Sequence, residues 1–198
     1  YTASFELTDH QTLLVGASGA FGPNSTGGRT EIYGLDAFWK WKPANHHGGF
    51  PFVSWQTEAM LRRYQAGAFT EDSNGNGVIN AGEPDLNGDG VVDSVARERL
   101  TDYGLYSQVA WGFRRGWVAG FRGDYVTRSR NGAYESIFGT DAQRDTRWRL
   151  SPNLTWLPSE FSKVRLQYNY DHRSNIGTDH SIWLQFEFLL GSHAAHKF

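Results

Sequence analysis

Between residues 72 and 93, oxygen-bearing side chains recur at alternate positions, and glycines interrupt them at a regular interval. The first run is Asp72, Asn74, Asn76, Gly77, Val78, Asn80 and Glu83. Counted from Asp72 as position 1, side-chain oxygens fall at 1, 3, 5, 9 and 12. Gly77 sits at position 6, where a sharp turn is needed, and the Val78 carbonyl faces inward from position 7. This spacing wraps a short loop around one hard cation, with six or seven oxygens at about 2.3–2.6 Å, and the cation it suits is calcium. A second run follows at once, with Asp85, Asn87, Asp89, Gly90, Val91 and Asp93. Its twelfth position is Ala96, so the last oxygen must come from elsewhere, and Glu98 is the nearest carboxylate after it. A merely solvated Asp/Asn/Gly-rich loop would rarely place its glycines and oxygens correctly twice.

Both runs match the EF-hand type of loop, but no pair of long helices flanks them. Arg62–Phe69 reads as strand, and Ser94–Leu100 has room for one short helix only. The runs therefore resemble the structural calcium loops of dockerin-like or thrombospondin-like repeats, not a helix-pair sensor that opens on binding. With few carboxylates in the first run, affinity is expected on the order of 10⁻⁴ to 10⁻³ M. Calcium would order an insertion spanning residues 68–102 that is otherwise long for a structureless loop. Its role there is structural, and no catalytic residue is assigned.

The elements that must hold this insertion are strands. Helical periodicity is hard to find, whereas alternation is easy. In Lys163–Asp171, Val164, Leu166, Tyr168 and Tyr170 share one face, and Lys163, Arg165, Gln167, Asn169 and Asp171 the other. Ser181–Leu190 and Trp148–Trp156 repeat the pattern; weaker versions cover Leu13–Phe21, Glu31–Trp41, Val53–Leu61, Leu105–Phe113 and Trp117–Tyr125. That predicts about eight strands. Phe5–Leu7 reads as the end of a further one, turning at Thr8–His10.

Alternation fits a soluble sheet as well as a membrane barrel, so the contents of each face must decide. Trp148 and Trp156 close the two ends of one apolar stripe, and Trp39, Trp41, Trp117 and Tyr125 also sit near strand ends on the apolar face. Small residues (Ala17, Gly19, Ala37, Ala59 and Ala119) occupy the same stripes. Fluid lipid tolerates such gaps, whereas a packed core does not. The opposite face carries Glu58, Arg62, Arg122, Asp124, Arg147, Arg149, Lys163, Arg165, Asp171 and Glu187, a charged lining that is locally basic. Connections alternate in length, with the shortest at Arg114–Gly116 and Pro158–Ser162 and the longest at Gly67–Asp102 and Arg128–Asp145. Short turns on one rim and long loops on the other are the habit of bacterial barrels.

On these residues the chain resembles the C-terminal part of a Gram-negative outer-membrane β-barrel of the porin or receptor kind. It ends in Phe198, and the resemblance makes a terminal aromatic the signal read by the barrel assembly machinery, although Gly191–Lys197 interrupts the usual alternation before it. The expected fold is all-β, an antiparallel transmembrane β-barrel over residues 1–198, alone or as part of a larger barrel. The expected location is the outer membrane, in contact with its lipid, and the expected function is a channel or receptor passing a small solute. The competing reading is a secreted or periplasmic calcium-binding β-domain that recognises carbohydrate or protein.

Composition narrows the field further. A mean hydropathy of -0.55 in 198 residues, with no long apolar run, excludes helical membrane spans, and 15% aromatic residues argue against disorder. A net charge of -2 offers no basic field for nucleic acid. Absent Cys removes disulfides, thiolate sites and Cys nucleophiles. No G-x-S-x-G, H-E-x-x-H or phosphate loop occurs, so no enzyme is expected. His46–His47 lies in a Gly/Pro/Asn turn and His193/His196 in the terminal tail, and both pairs read as exposed histidines, not zinc ligands.

Overall fold

The computed structural model describes residues 1–129, 132–139, 141 and 144–189. Leu190, His193, His196, Phe198 and the Gly191–Lys197 stretch lie outside the described residues. Nine long strands follow one another through the chain: β1 (Thr2–Thr8), β2 (Gln11–Pro23), β3 (Arg29–Trp41), β4 (Phe52–Ala66), β7 (Glu98–Arg114), β8 (Trp117–Arg128), β9 (Arg147–Ser159), β10 (Ser162–Arg173) and β11 (Gly177–Phe188). Two short strands, β5 (Phe69–Thr70) and β6 (Ser94–Val95), pair with each other inside the β4–β7 connection. The single described helix, α1 (Ala133–Phe138), lies in the β8–β9 connection.

Every long strand pairs antiparallel with its sequence neighbour, so the sheet runs β1-β2-β3-β4-β7-β8-β9-β10-β11 without a crossover. Among the described residues no pairing joins β1 to β11, so the strands form an open sheet and not the closed eight-stranded barrel that the alternation allowed. The extra strand is β1, whose pairing with β2 from Thr2 to Thr8 turns at Asp9–His10. Strands also outrun their apolar stripes. β7 begins at Glu98, paired with Ala66, because Arg62 and Asp102 face each other and extend the ladder beyond Leu105. Glu98–Asp102 therefore belongs to the sheet, the insertion proper runs over residues 67–97, and Ser94–Leu100 is strand on both sides of a break instead of a short helix.

The two faces are sorted by polarity in the opposite sense to a soluble sandwich. Val95 is the one buried hydrophobic residue among the described residues, whereas Ser151, Thr155, Asn169, Asp171 and Arg128 are buried on the polar side. Leu35, Leu105, Phe121, Leu154, Leu166, Leu184 and Phe186 are exposed on the other. Aromatics gather at the two ends of this apolar face. The register brings Trp41 and Trp39 opposite Val53 and Trp55, Val53 opposite Trp111, and Trp117 opposite Trp156, all towards the short-turn rim. Trp117 and Trp156 stack with centroids 6.0 Å apart. Towards the other rim Tyr125 pairs with Trp148, and Trp148 stacks on Tyr170 at 5.1 Å. Along β9 the two tryptophans are eight residues apart, about 26 Å at the usual rise of a strand.

The connections fall on the rims as their lengths suggested. Asp9–His10, Lys42–Pro51, Arg115–Gly116 and Glu160–Phe161 share one rim, and the 67–97 insertion and the β8–β9 connection share the other. Gly116 adopts a positive φ of 77°, which the tight β7–β8 turn requires and a side chain resists.

Candidate calcium loops and the charged inner face

The insertion is tied down before the loops begin. Asn24 Nδ2 and Thr26 Oγ1 both donate to the Gln65 carbonyl (2.9 and 3.0 Å), which fixes the end of β4 against the β2–β3 turn. The β5–β6 pair then closes the base of the insertion, with Phe69 set edge-on against Phe138 of α1.

Within the first loop the anionic side chains fold back on the backbone. Asp72 accepts from the N–H groups of Gly75 (2.6 Å) and Asn76 through Oδ1, and from Gly77 (2.6 Å) through Oδ2. Asn74 Oδ1 accepts from Asn76, and Asn76 Oδ1 from Val78, each at 3.0 Å. Glu83 closes the loop: Oε1 accepts from the Ser73 and Asn74 N–H groups and from the Ser73 hydroxyl, and Oε2 accepts from the Asn80 N–H. The donors hold the Glu83 carboxyl well below the usual range, at about 2, the Ser73 side chain contributing most. Asp72 is lowered too, chiefly by the Gly77 N–H. Gly75 and Gly77 both take positive φ (78° and 81°), the conformation that lets successive N–H groups converge on one carboxylate.

The second loop repeats most of this ladder. Asp85 accepts from Gly88 (2.7 Å) and Gly90 (3.1 Å), Asn87 Oδ1 from Asp89, and Asp89 Oδ1 from Val91. Glu98 is not part of it. Its carboxylate accepts from the Ala133 and Tyr134 N–H groups at the start of α1, because β7 begins there and turns the side chain towards the neighbouring connection. The carboxylate that does reach the second loop is Glu71, which the spacing of the motif passes over. It is fully buried, with Oε1 accepting from the Leu86 N–H (2.7 Å) and Oε2 from the Asp93 N–H (3.0 Å).

The donor chemistry of both loops fits calcium: oxygen throughout, from carboxylates, amides and the Val78 and Val91 carbonyls. No group of three or more His, Cys, Asp and Glu side chains converges on a metal-sized space among the described residues. Asn80 Nδ2 donates to the Val78 carbonyl and to Glu83 Oε2, both at 3.1 Å. Asn87 Nδ2 likewise bridges Asp89 Oδ2 (3.1 Å) and Asp93 Oδ2 (2.8 Å). In each loop an asparagine amide thus donates to oxygens that the motif assigns as ligands. When bound, calcium would be held by these oxygens and would supply a fixed positive charge within each loop. His46 and His47 are exposed in the β3–β4 connection, with His47 Nδ1 at 3.0 Å from the Asn45 carbonyl.

The polar face of the sheet gathers the charged residues that alternation placed there. Asp171 accepts from Arg147 and Arg149 and lies 3.8 Å from Arg173, so three guanidinium groups share one nearly buried carboxylate. Arg122 holds Asp124 in a forked contact and lies over the Tyr106 ring, 3.9 Å from its centroid. Asp102 bridges Arg62 and Arg144 (both 2.6 Å), and Lys163 meets Glu187. Arg165 donates to Thr155 Oγ1 at 3.0 Å. Asp36 pairs across the ladder with Glu58, and Glu58 with Tyr106, so β3 and β4 bring carboxylates where β8–β10 bring arginines. Asp36, Asp102 and Tyr106 were not singled out by sequence, although each lies in phase with the polar stripe.

What fold and site define is an all-β protein with one nine-stranded antiparallel sheet, an apolar exposed face and a charged opposite face. No family model matches the chain, and no solved structure matches it. It is 27% identical over 209 residues to an uncharacterized protein of Aquifex aeolicus (strain VF5). That similarity covers 94% of this chain and 37% of the other, so the chain spans little more than a third of the length of the curated relative it matches.

Proposed function

We propose that this chain forms one wall of an outer-membrane β-barrel, a channel or receptor through which a small solute passes, with calcium ordering its longest outer loop. The observation that carries the reading is the inversion of polarity. Among the described residues apolar side chains lie exposed on one face of the sheet, and ion pairs and buried polar residues gather on the other. In water such a sheet would expose a continuous apolar surface, the mark of a surface made for contact with lipid or protein. Against lipid it is the expected arrangement, with aromatic girdles at both interfaces and polar residues towards the lumen.

Among the described residues β1 and β11 are unpaired edges, and these support a barrel completed by further strands, because an unpaired edge in a membrane leaves backbone groups without partners. The greater length of the Aquifex relative is consistent with those strands belonging to a longer chain. The basic lining on β8–β10 favours anionic solutes.

The test is electrophoresis of the native membrane fraction, boiled and unboiled. A band that shifts on boiling is expected of a detergent-stable barrel. A band that never shifts, recovered in the soluble fraction, would replace this reading by a secreted calcium-binding β-domain.

A further inference from the structure

The second calcium loop lacks a carboxylate at its twelfth position, where Ala96 stands. In the first loop that position is Glu83, whose oxygens accept from the N–H at position 2 (Ser73, 2.9 Å) and the N–H at position 9 (Asn80, 2.9 Å). Glu71 makes the same two contacts in the second loop, to position 2 (Leu86, 2.7 Å) and position 9 (Asp93, 3.0 Å). It arrives from the opposite direction, fourteen residues ahead of Asp85 instead of eleven after it. We infer that Glu71 is the closing ligand of the second calcium loop, supplied from the N-terminal side of the first; this rests on the calcium reading above and adds a ligand to it.

Burial gives an independent reason. Glu71 is a wholly buried carboxylate, and no cationic side chain pairs with it among the described residues. A buried carboxylate without a counter-charge is costly, and such groups are paired or bind metal. The two N–H contacts satisfy part of its capacity, since a carboxylate offers about four lone-pair sites. A cation held by the oxygens of the second loop would supply the missing counter-charge.

The backbone explains how a residue from before the first loop can do this. Glu71 follows β5 directly, its own N–H donates to the Asp93 carbonyl (3.0 Å), and Ser94–Val95 then pairs with Phe69–Thr70. Position 9 of the second loop and the carboxylate that closes it are therefore held on adjacent strands of one small ladder. The two loops form a single interlocked unit, in which the second cannot close without the segment that opens the first.

The experiment is calcium titration of the full-length protein in detergent micelles, read by calorimetry and by equilibrium dialysis. Wild type is expected to take up two ions per chain. Glu83→Gln should lose the first site and keep the second, Glu71→Gln should weaken the second by about tenfold or more, and Glu98→Gln should keep both. Restoring a ligand in cis, by Ala96→Glu in the Glu71→Gln background, should return the second site. Two sites of unchanged affinity in Glu71→Gln would overturn the assignment while leaving the calcium reading intact. Loss of both sites in that variant, without recovery in the double variant, would overturn it as well. No uptake by wild type would remove the calcium reading itself.

Discussion

At the scale of single residues, the meaning of a position depends on its parity. Leu166 and Gln167 are neighbours on β10, yet Leu166 is exposed on the apolar face, between Leu154 and Leu184, and Gln167 donates to Asn169 on the polar face. If the sheet is the proposed barrel wall, an arginine at 166 would place a charge near the middle of the band that faces lipid, at a cost of about 2–4 kcal/mol. Leu166→Arg should therefore abolish the heat-modifiable band, whereas Gln167→Arg, facing water and ions, should retain it. Normal folding of Leu166→Arg without detergent would remove the membrane from the account. Parity of this kind is legible in sequence, because the period of a strand is two and each step changes face. Glu71 was not legible in the same way. Its partners lie at Leu86 and Asp93, and only the register of β5 against β6 brings them to it. Glu98 looked the better candidate because nearness along the chain was the only measure available, and its strand carries it to α1 instead.

At the scale of elements, the strands announced themselves and the connections did not. Stripes such as Val164–Tyr170 mark a strand's middle, but pairing extends β4 and β7 well past their apolar residues through contacts such as Arg62 with Asp102. The β5–β6 ladder carries two residues on each side, too few for alternation to register, and α1 is a single short turn of helix. These small elements are what hold the insertion in shape. Its backbone is organised by side-chain acceptors on exposed loops, contacts that individually contribute little and open readily. If the loops bind calcium as proposed, chelation should therefore raise the rate of proteolysis within residues 72–93, without altering the heat-modifiable mobility expected of the proposed barrel. Limited digestion with and without chelator, followed by mass mapping of the cuts, measures this. Equal cleavage under both conditions would mean that the loops are ordered by their own hydrogen bonds alone.

At the scale of the whole molecule, the proposed barrel would have to face one way across the membrane. The long insertion and the α1 connection share one rim, and the two-residue turns at Arg115–Gly116 and Glu160–Phe161 share the other. Long loops in bacterial barrels lie outside the cell and short turns in the periplasm. The chain contains no Cys, so a single introduced thiol reports its own side within these 198 residues. Leu86 is exposed on the insertion and Glu160 on the opposite turn. In intact cells a membrane-impermeant maleimide should label Leu86→Cys and spare Glu160→Cys, and after the outer membrane is opened both should react. The reverse pattern would invert the barrel in the membrane and put the calcium loops in the periplasm, where the apolar face could still meet lipid. Labelling of both in intact cells would mean that no bilayer separates the rims. The inverted polarity would then have to be explained by a second protein surface laid over Leu154, Leu166 and Leu184.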